Sequence, residues 1–157
     1  MSSNPGCLGL FLSLFSLAKP ATAITFPYGL RDHFLSPAEL SFHHVLRTIV
    51  RDSETLLTKV NLNDLFFVRR PHKNKGAHNK INRKHVDFVL CDTKSMQPLI
   101  AIELDDRSHN RPDRQKRDEF VDGVFEAADL PLLHIKAARS YNPKELRDEL
   151  DSALGRN

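Results

Sequence analysis

Cysteine is scarce: Cys7 and Cys91 are the only two in a chain of 157 residues. Two thiols so far apart exclude a disulfide framework and any zinc site with Cys-x-x-Cys spacing. For Cys91 an unpaired thiol in a reducing compartment is the favoured reading. A full membrane span is missing too. The longest apolar stretch, Cys7 to Ala18, reads CLGLFLSLFSLA and is closed by Lys19-Pro20; it falls short of the about 20 residues that cross a bilayer. It fits the apolar core of a signal peptide, with Ala21-Thr22-Ala23 as an A-x-A cleavage site, yet Met1 to Gly6 holds no Lys or Arg for the positive flank. Signal peptide, short membrane tether with its membrane contact, and plain apolar leader all stay open for residues 1–23. The segment is set apart from the fold, and the folded domain is read as cytoplasmic. Strong net charge is also lacking, since +3 is too mild to establish a polyanionic partner. No internal repeat and no low-complexity segment occurs.

What remains is about 120 residues, enough for one domain with a single core. Hydrophobic content of 40% and charged content of 27% are those of a globular protein and exclude wholesale disorder. Residues 24–35, punctuated by Pro27 and Gly29, read as a linker, and residues 36–154 as the domain. Ser36 as N-cap, Pro37 at the first position and Glu39 three residues after the cap open a helix. Leu40, Phe42, Val45, Leu46, Ile49 and Val50 follow at helical spacing on one buried face, and the helix ends near Arg51 to Ser53. Leu56 to Phe67 reads as one strand, with a turn around Asn61 to Asp64. His85 to Cys91 and Leu99 to Asp105 are strands joined by only seven polar residues, Asp92 to Pro98. That is too short for a parallel crossover, so the pair is an antiparallel hairpin. A helix over Arg111 to Asp129 carries Phe120, Val121, Val124, Phe125 and Ala128 on one side. Leu130 to Ala137 is a short strand, and Asn142 with Pro143 and Glu145 caps a last helix. The order helix, strand, hairpin, helix, strand, helix gives an α/β fold, a mixed sheet flanked by helices.

Alternation along the hairpin sorts its residues by face. Val86, Phe88 and Leu90 point one way in the first strand, as Ile100, Ile102 and Leu104 do in the second. With those faces together, Asp87, Glu103 and Asp105 share the other face. Carboxylates inside apolar strands are costly to bury unless paired or bound to a cation. Mg²⁺ and Mn²⁺ prefer oxygen ligands, and two carboxylates on neighbouring strands can hold one and leave it open to a phosphate. The plainer alternative pairs Asp87 with a nearby Arg or Lys and ends the second strand at the surface.

The run KHVDFVLCD…PLIAIELDDRSHNRPDRQKRDEF, with AELSF upstream and AADLPLLHI downstream, resembles a bacterial family known only as a domain of unknown function, number 2726. That family looks like a branch of the restriction-endonuclease-like, PD-(D/E)xK, superfamily and is similar to the very-short-patch repair endonuclease relatives. The resemblance covers about Pro27 to Leu150, and I-E-L-D-D-x-x-H followed by R-D is its most specific part. It implies a metal-dependent nuclease acting on DNA, or on RNA, with Asp87 and Glu103 as the motif acids and metal ligands. Glu39 matches the helix acid that some members add, although capping by Ser36 is the favoured account of it. Asp105 stands where better-known members carry lysine, so it serves as a third metal ligand, or the lysine's role has moved, or the domain is a silent nucleic-acid-binding module. His109, Lys116 and Arg117 are candidates for the missing positive or proton-transferring group, with His109 suited to acid–base work near neutral pH. His109 is equally read as an exposed loop histidine, and a solvated helix surface is the usual place of charges such as Lys116 and Arg117. His134 reads as a satisfied sheet histidine.

Arg69 to Lys84 holds Arg69, Arg70, Lys73, Lys75, Lys80, Arg83 and Lys84 without an acid. It reads as a loop whose field attracts phosphate, contacting backbone and not sequence. No Phe, Tyr or Trp falls within it, which argues against a stacking platform for single strands.

Overall fold

Ser36 opens α1 (Pro37–Ile49) with both halves of a capping box. Its Oγ accepts from the Glu39 N–H at 3.3 Å, and Glu39 Oε2 accepts from the Ser36 N–H at 2.7 Å. Phe42 and Leu46, one turn apart, are fully buried, whereas Leu40 lies off that row and is exposed. The helix stops earlier than its apolar spacing predicts, with Val50 as an extended C-cap. The cause is the turn that follows, where the Glu54 carboxylate accepts the Arg51 N–H at 3.1 Å.

The computed structural model describes residues 26–105 and 112–156, residues 112–115 by their backbone alone. The chain divides into a unit of residues 1–32 and a compact unit of residues 33–157. Of the first unit, residues 26–32 are described and form neither helix nor strand. The leader of residues 1–23 and His109 lie outside the described residues. No described helix is long and apolar enough to cross a membrane.

The second unit is α/β. Its four strands are β1 (Glu54–Asn61), β2 (His85–Asp92), β3 (Pro98–Asp105) and β4 (Leu132–Lys136), in that spatial order. β1–β2 and β2–β3 are antiparallel, and β3–β4 is parallel, so the sheet is mixed. α4 (Pro112–Ala127) makes the crossover that a parallel pair requires. α5 (Pro143–Ala153) is capped by Asn142, whose side chain accepts from the Lys144 and Glu145 N–H groups. Between β1 and β2 the chain forms two short helices that the sequence hides. α2 (Leu62–Leu65) replaces the end of the single strand read over Leu56 to Phe67, because the Asn61 side chain caps it at the Asn63 N–H. α3 (Ala77–Ile81) interrupts the basic loop; it has one buried residue, Ile81, and is too short to show a period.

Two cores lie against the sheet. Phe42 and Leu46 of α1 and Leu146 and Leu150 of α5 pack with Phe88, Leu90, Ile100 and Ile102. Leu62, Ile81, and Val121 and Phe125 of α4 pack with Val86, Val89, Cys91 and Ala101. Cys91 is a free, buried thiol. Val86 therefore packs opposite Phe88 and Leu90, not with them as alternation predicts. The strict period of two fails between Val86 and Phe88, at Asp87. Lys59, the residue of β1 facing that break, has a positive φ of 55° and drops out of the ladder between Thr58↔Phe88 and Val60↔Val86. Left-handed backbone at a side chain larger than glycine is strained, and here it coincides with the acidic residues.

Candidate functional site

The β2–β3 ladder runs only as far as Phe88↔Ile102. Beyond it, two carboxylates take the places of backbone acceptors. The Asp87 N–H donates to Glu103 Oε2 at 3.3 Å, and the Leu104 N–H donates to Asp87 Oδ2 at 3.0 Å. Each strand thus supplies an acid that binds the other strand's amide, which fixes both groups and splays the strands around them. Lys59, turned by its left-handed backbone, brings Nζ to 3.4 Å from Asp87 Oδ1. The same ammonium donates to Glu39 Oε1. Glu39 is therefore both a capping residue and a member of the cluster, one oxygen for each task.

Electrostatics set Glu103 apart. Burial and the neighbouring Asp87 carboxylate push its pKa up to about 7, against the Asp87 N–H, Arg117 and His134, which pull it down. Burial also raises Asp87, opposed by the Leu104 N–H and Lys59. Burial would raise Glu39 as well, but the hydrogen bonds from Lys59 and Ser36 hold it below the usual range. Lys59 loses some basicity to burial and gains more from Glu39 and Asp87, so it stays protonated. Arg117 of α4 is half-exposed, with its guanidinium 3.8 Å from Glu103 Oε1. Lys116 is exposed on the same helix.

Asp105 is drawn elsewhere. Both its carboxylate oxygens lie 3.3 Å from His134 Nδ1, and the other imidazole nitrogen is 3.0 Å from Asp122 Oδ1. Burial lowers the His134 pKa, but these two acids raise it by more. His134 is satisfied, as its place in a strand suggests, and it pairs in register with Glu103. Among the described residues no set of three His, Cys, Asp or Glu side chains is arranged to hold a metal. Asp87, Glu103 and Asp105 therefore do not close into one three-acid cage. What converges is Asp87, Glu103, Glu39 and Lys59. Lys59 escaped the sequence reading, although a charged residue inside LLTKV breaks the apolar run of that strand. The oxygen-only donor set of Asp87 and Glu103 suits a hard divalent cation, which commonly takes one or two protein carboxylates and completes its shell with water and phosphate.

The loop cations Arg69, Arg70, Lys73, Lys75, Lys80 and Arg83 are exposed. Lys84 lies over the Phe120 ring of α4, 5.2 Å from its centroid.

Residues 31–154 match the family described as "Protein of unknown function (DUF2726)". The chain belongs to that family. No curated protein and no solved structure matches it significantly. This DUF2726 chain thus carries its acidic pair within the matched region, as it does Glu39 and Lys59.

Proposed function

We propose that this DUF2726 domain is a metal-dependent nuclease of the restriction-endonuclease-like class, hydrolysing phosphodiester bonds in DNA in preference to RNA. The observation that carries the reading is the end of the β2–β3 ladder, where Asp87 and Glu103 meet with Glu103 pushed up to about 7. Two acids held together by burial gain most from a cation, which lowers both pKa values by direct attraction. Asp87 and Glu103 would hold Mg²⁺ or Mn²⁺, and the bound ion would supply Lewis acidity toward the phosphate and an acidified water.

The chain's own groups do the rest. The backbone amides of Asp87 and Leu104 fix the two carboxylates. Lys59 supplies the ammonium that Asp105 does not, from β1, the strand beside that of Asp87, instead of from β3. Glu39 holds that ammonium in place. Arg117, on the exposed side of Glu103, can take a phosphate oxygen, and the loop cations can carry the flanking backbone. A buried, unpaired Cys91 suits a reducing cytoplasm.

Cleavage of single- and double-stranded DNA and RNA by the full chain, with Mg²⁺, Mn²⁺ or EDTA, tests this. Metal-dependent products are expected, reduced about a hundredfold or more in Asp87→Asn, Glu103→Gln and Lys59→Met. No cleavage by the parent under any condition, with salt-sensitive but metal-indifferent binding, overturns it in favour of a silent binding module.

A further inference from the structure

The loop cations have no aromatic residue among them in sequence, but the fold supplies aromatics from either side. A cleft of about 560 Å³ runs between α4 and the segment joining α2 to α3. Phe66 and Phe67 come from the stretch just before the loop, and Phe120, Gly123 and Val124 from α4, with Arg69 at the loop's first cation. The volume is that of a small-molecule site, about 300–1,000 Å³. Phe67 is 82% exposed, a large ring on the lining of the cleft. Gly123 leaves the space open. It sits inside α4, where glycine weakens a helix, and a Cβ built there meets nothing within 4 Å.

The cleft and the acidic pair share one helix face. Arg117, Phe120 and Val124 recur at spacings of three and four, so they form one row. The first faces Glu103 and the other two line the cleft. Arg117 and Gly123 are about 9 Å apart along the helix axis, by the usual rise per residue. An apolar, aromatic cleft with Arg69 on its wall, at the head of a loop carrying five further exposed cations, selects an occupant with a flat apolar ring and a neighbouring negative charge. Arg69 and Asp129 are the charged residues of the cleft wall. An apolar peptide would not use the cation row, and a continuous duplex keeps its bases stacked inside.

We propose that this cleft takes an unpaired base of a nucleic-acid strand whose adjoining phosphate lies at the Asp87–Glu103 pair, which makes single-stranded or locally opened nucleic acid the preferred substrate. The inference rests on the nuclease reading for the position of the phosphate. It does not rest on it for the cleft. Phe67 offers the stacking face, Gly123 the room, and Arg69, Arg70, Lys73 and Lys75 the grip on the backbone.

The test measures binding by the full chain in EDTA, so that no cleavage intervenes, using fluorescein-labelled oligodeoxynucleotides of one sequence. The probes are a single strand, a blunt duplex and a duplex with one bulged base. The single strand and the bulged duplex are expected to bind about tenfold more tightly than the blunt duplex. Gly123→Leu fills the cleft and Phe67→Ala removes the ring; each is expected to abolish that difference and leave blunt-duplex binding unchanged. Lys73→Ala with Lys75→Ala is expected to weaken all three probes and steepen none of the differences. Thermal melting of the Gly123→Leu and Phe67→Ala variants verifies that both fold. Equal binding of all three probes, or single-strand binding indifferent to both cleft variants, overturns the inference. Cleft-sensitive binding without metal-dependent cleavage would keep the cleft and refute the nuclease. Metal-dependent cleavage indifferent to the cleft variants would do the reverse.

Discussion

β1 carries an ion cluster near each of its ends, and the two are built on opposite terms. At its start, Glu54 has a fully buried side chain, yet Arg147 reaches it at 2.8 Å and Arg156 at 2.5 Å. Arg147 also binds Asp151, which Arg51 holds at 2.7 Å. Three guanidinium groups thus enclose two carboxylates. Burial would raise the Glu54 pKa, but the hydrogen bonds from Arg147, the Arg51 N–H and Arg156 bring it below the usual range. Near its other end, Lys59 faces Glu39 and Asp87, with Glu103 beyond them at a pKa of about 7. The difference teaches what each cluster is for. The first is complete as it stands and joins α5 to the sheet. The second sets three acids against Lys59 and the half-exposed Arg117, the imbalance on which the proposed cation site rests.

The comparison breaks hardest at Arg147. Arg147→Leu leaves Glu54 buried against incomplete partners, and removing one side of a buried pair costs about 3–5 kcal/mol. Thermal melting is expected to drop by roughly 10 °C or more in Arg147→Leu, with little change in metal response. An unchanged melting temperature would show that the Glu54 cluster does not hold α5 in place.

A smaller, opposite effect belongs to Glu103. Its pKa in the fold, about 7, lies above its ordinary 4.5. The folded chain thus holds that proton longer than the unfolded chain, so the stabilisation is full below pH 4.5 and is lost as pH rises through 7. From pH 5 to pH 8 the parent should lose on the order of 2 kcal/mol that Glu103→Gln does not lose. Denaturant titrations at both pH values read this directly. Mn²⁺ added at pH 8 should restore the parent's stability and leave Glu103→Gln unmoved. The Glu54 cluster, its carboxylates already held low, predicts no such slope in that range.

The smallest effect separates the two tasks of Glu39. Ser36→Ala removes one half of the capping box and should cost about 1 kcal/mol. The Lys59–Glu39 pair stays, so metal-dependent activity is expected to persist. A loss of activity as large as that of Lys59→Met would show that the cap itself sets the position of Lys59.

Legibility in the sequence followed the range of each interaction. Ser36, Pro37 and Glu39 announce α1, and Asn142 and Pro143 announce α5, because caps act within four residues. The seven-residue connection from Asp92 to Pro98 declares the hairpin, and the sheet is mixed as the element order implies. Asp87 and Glu103 could be matched by alternation, and the fold brings them together. Alternation then misled at one neighbour. It put Val86 with Phe88, but the ladder breaks between them; Asp105 does lie on the face of Glu103, beside His134, which pairs with Glu103 in register. Lys59 meets Asp87 across 28 residues, and Arg147 meets Glu54 across 93. No local pattern encodes either contact. The aromatic cleft was hidden for the same reason, since Phe67 and Phe120 are neighbours only after α4 crosses the sheet. The basic loop taken alone had argued against stacking.

A calorimetric titration of the full chain with Mn²⁺ at pH 8, beside Asp87→Asn and Glu103→Gln, tests the central claim most directly. One site is expected in the parent, with affinity lost in both variants. Absence of binding by the parent, or equal binding in all three proteins, would contradict the assignment of Asp87 and Glu103 as the cation site.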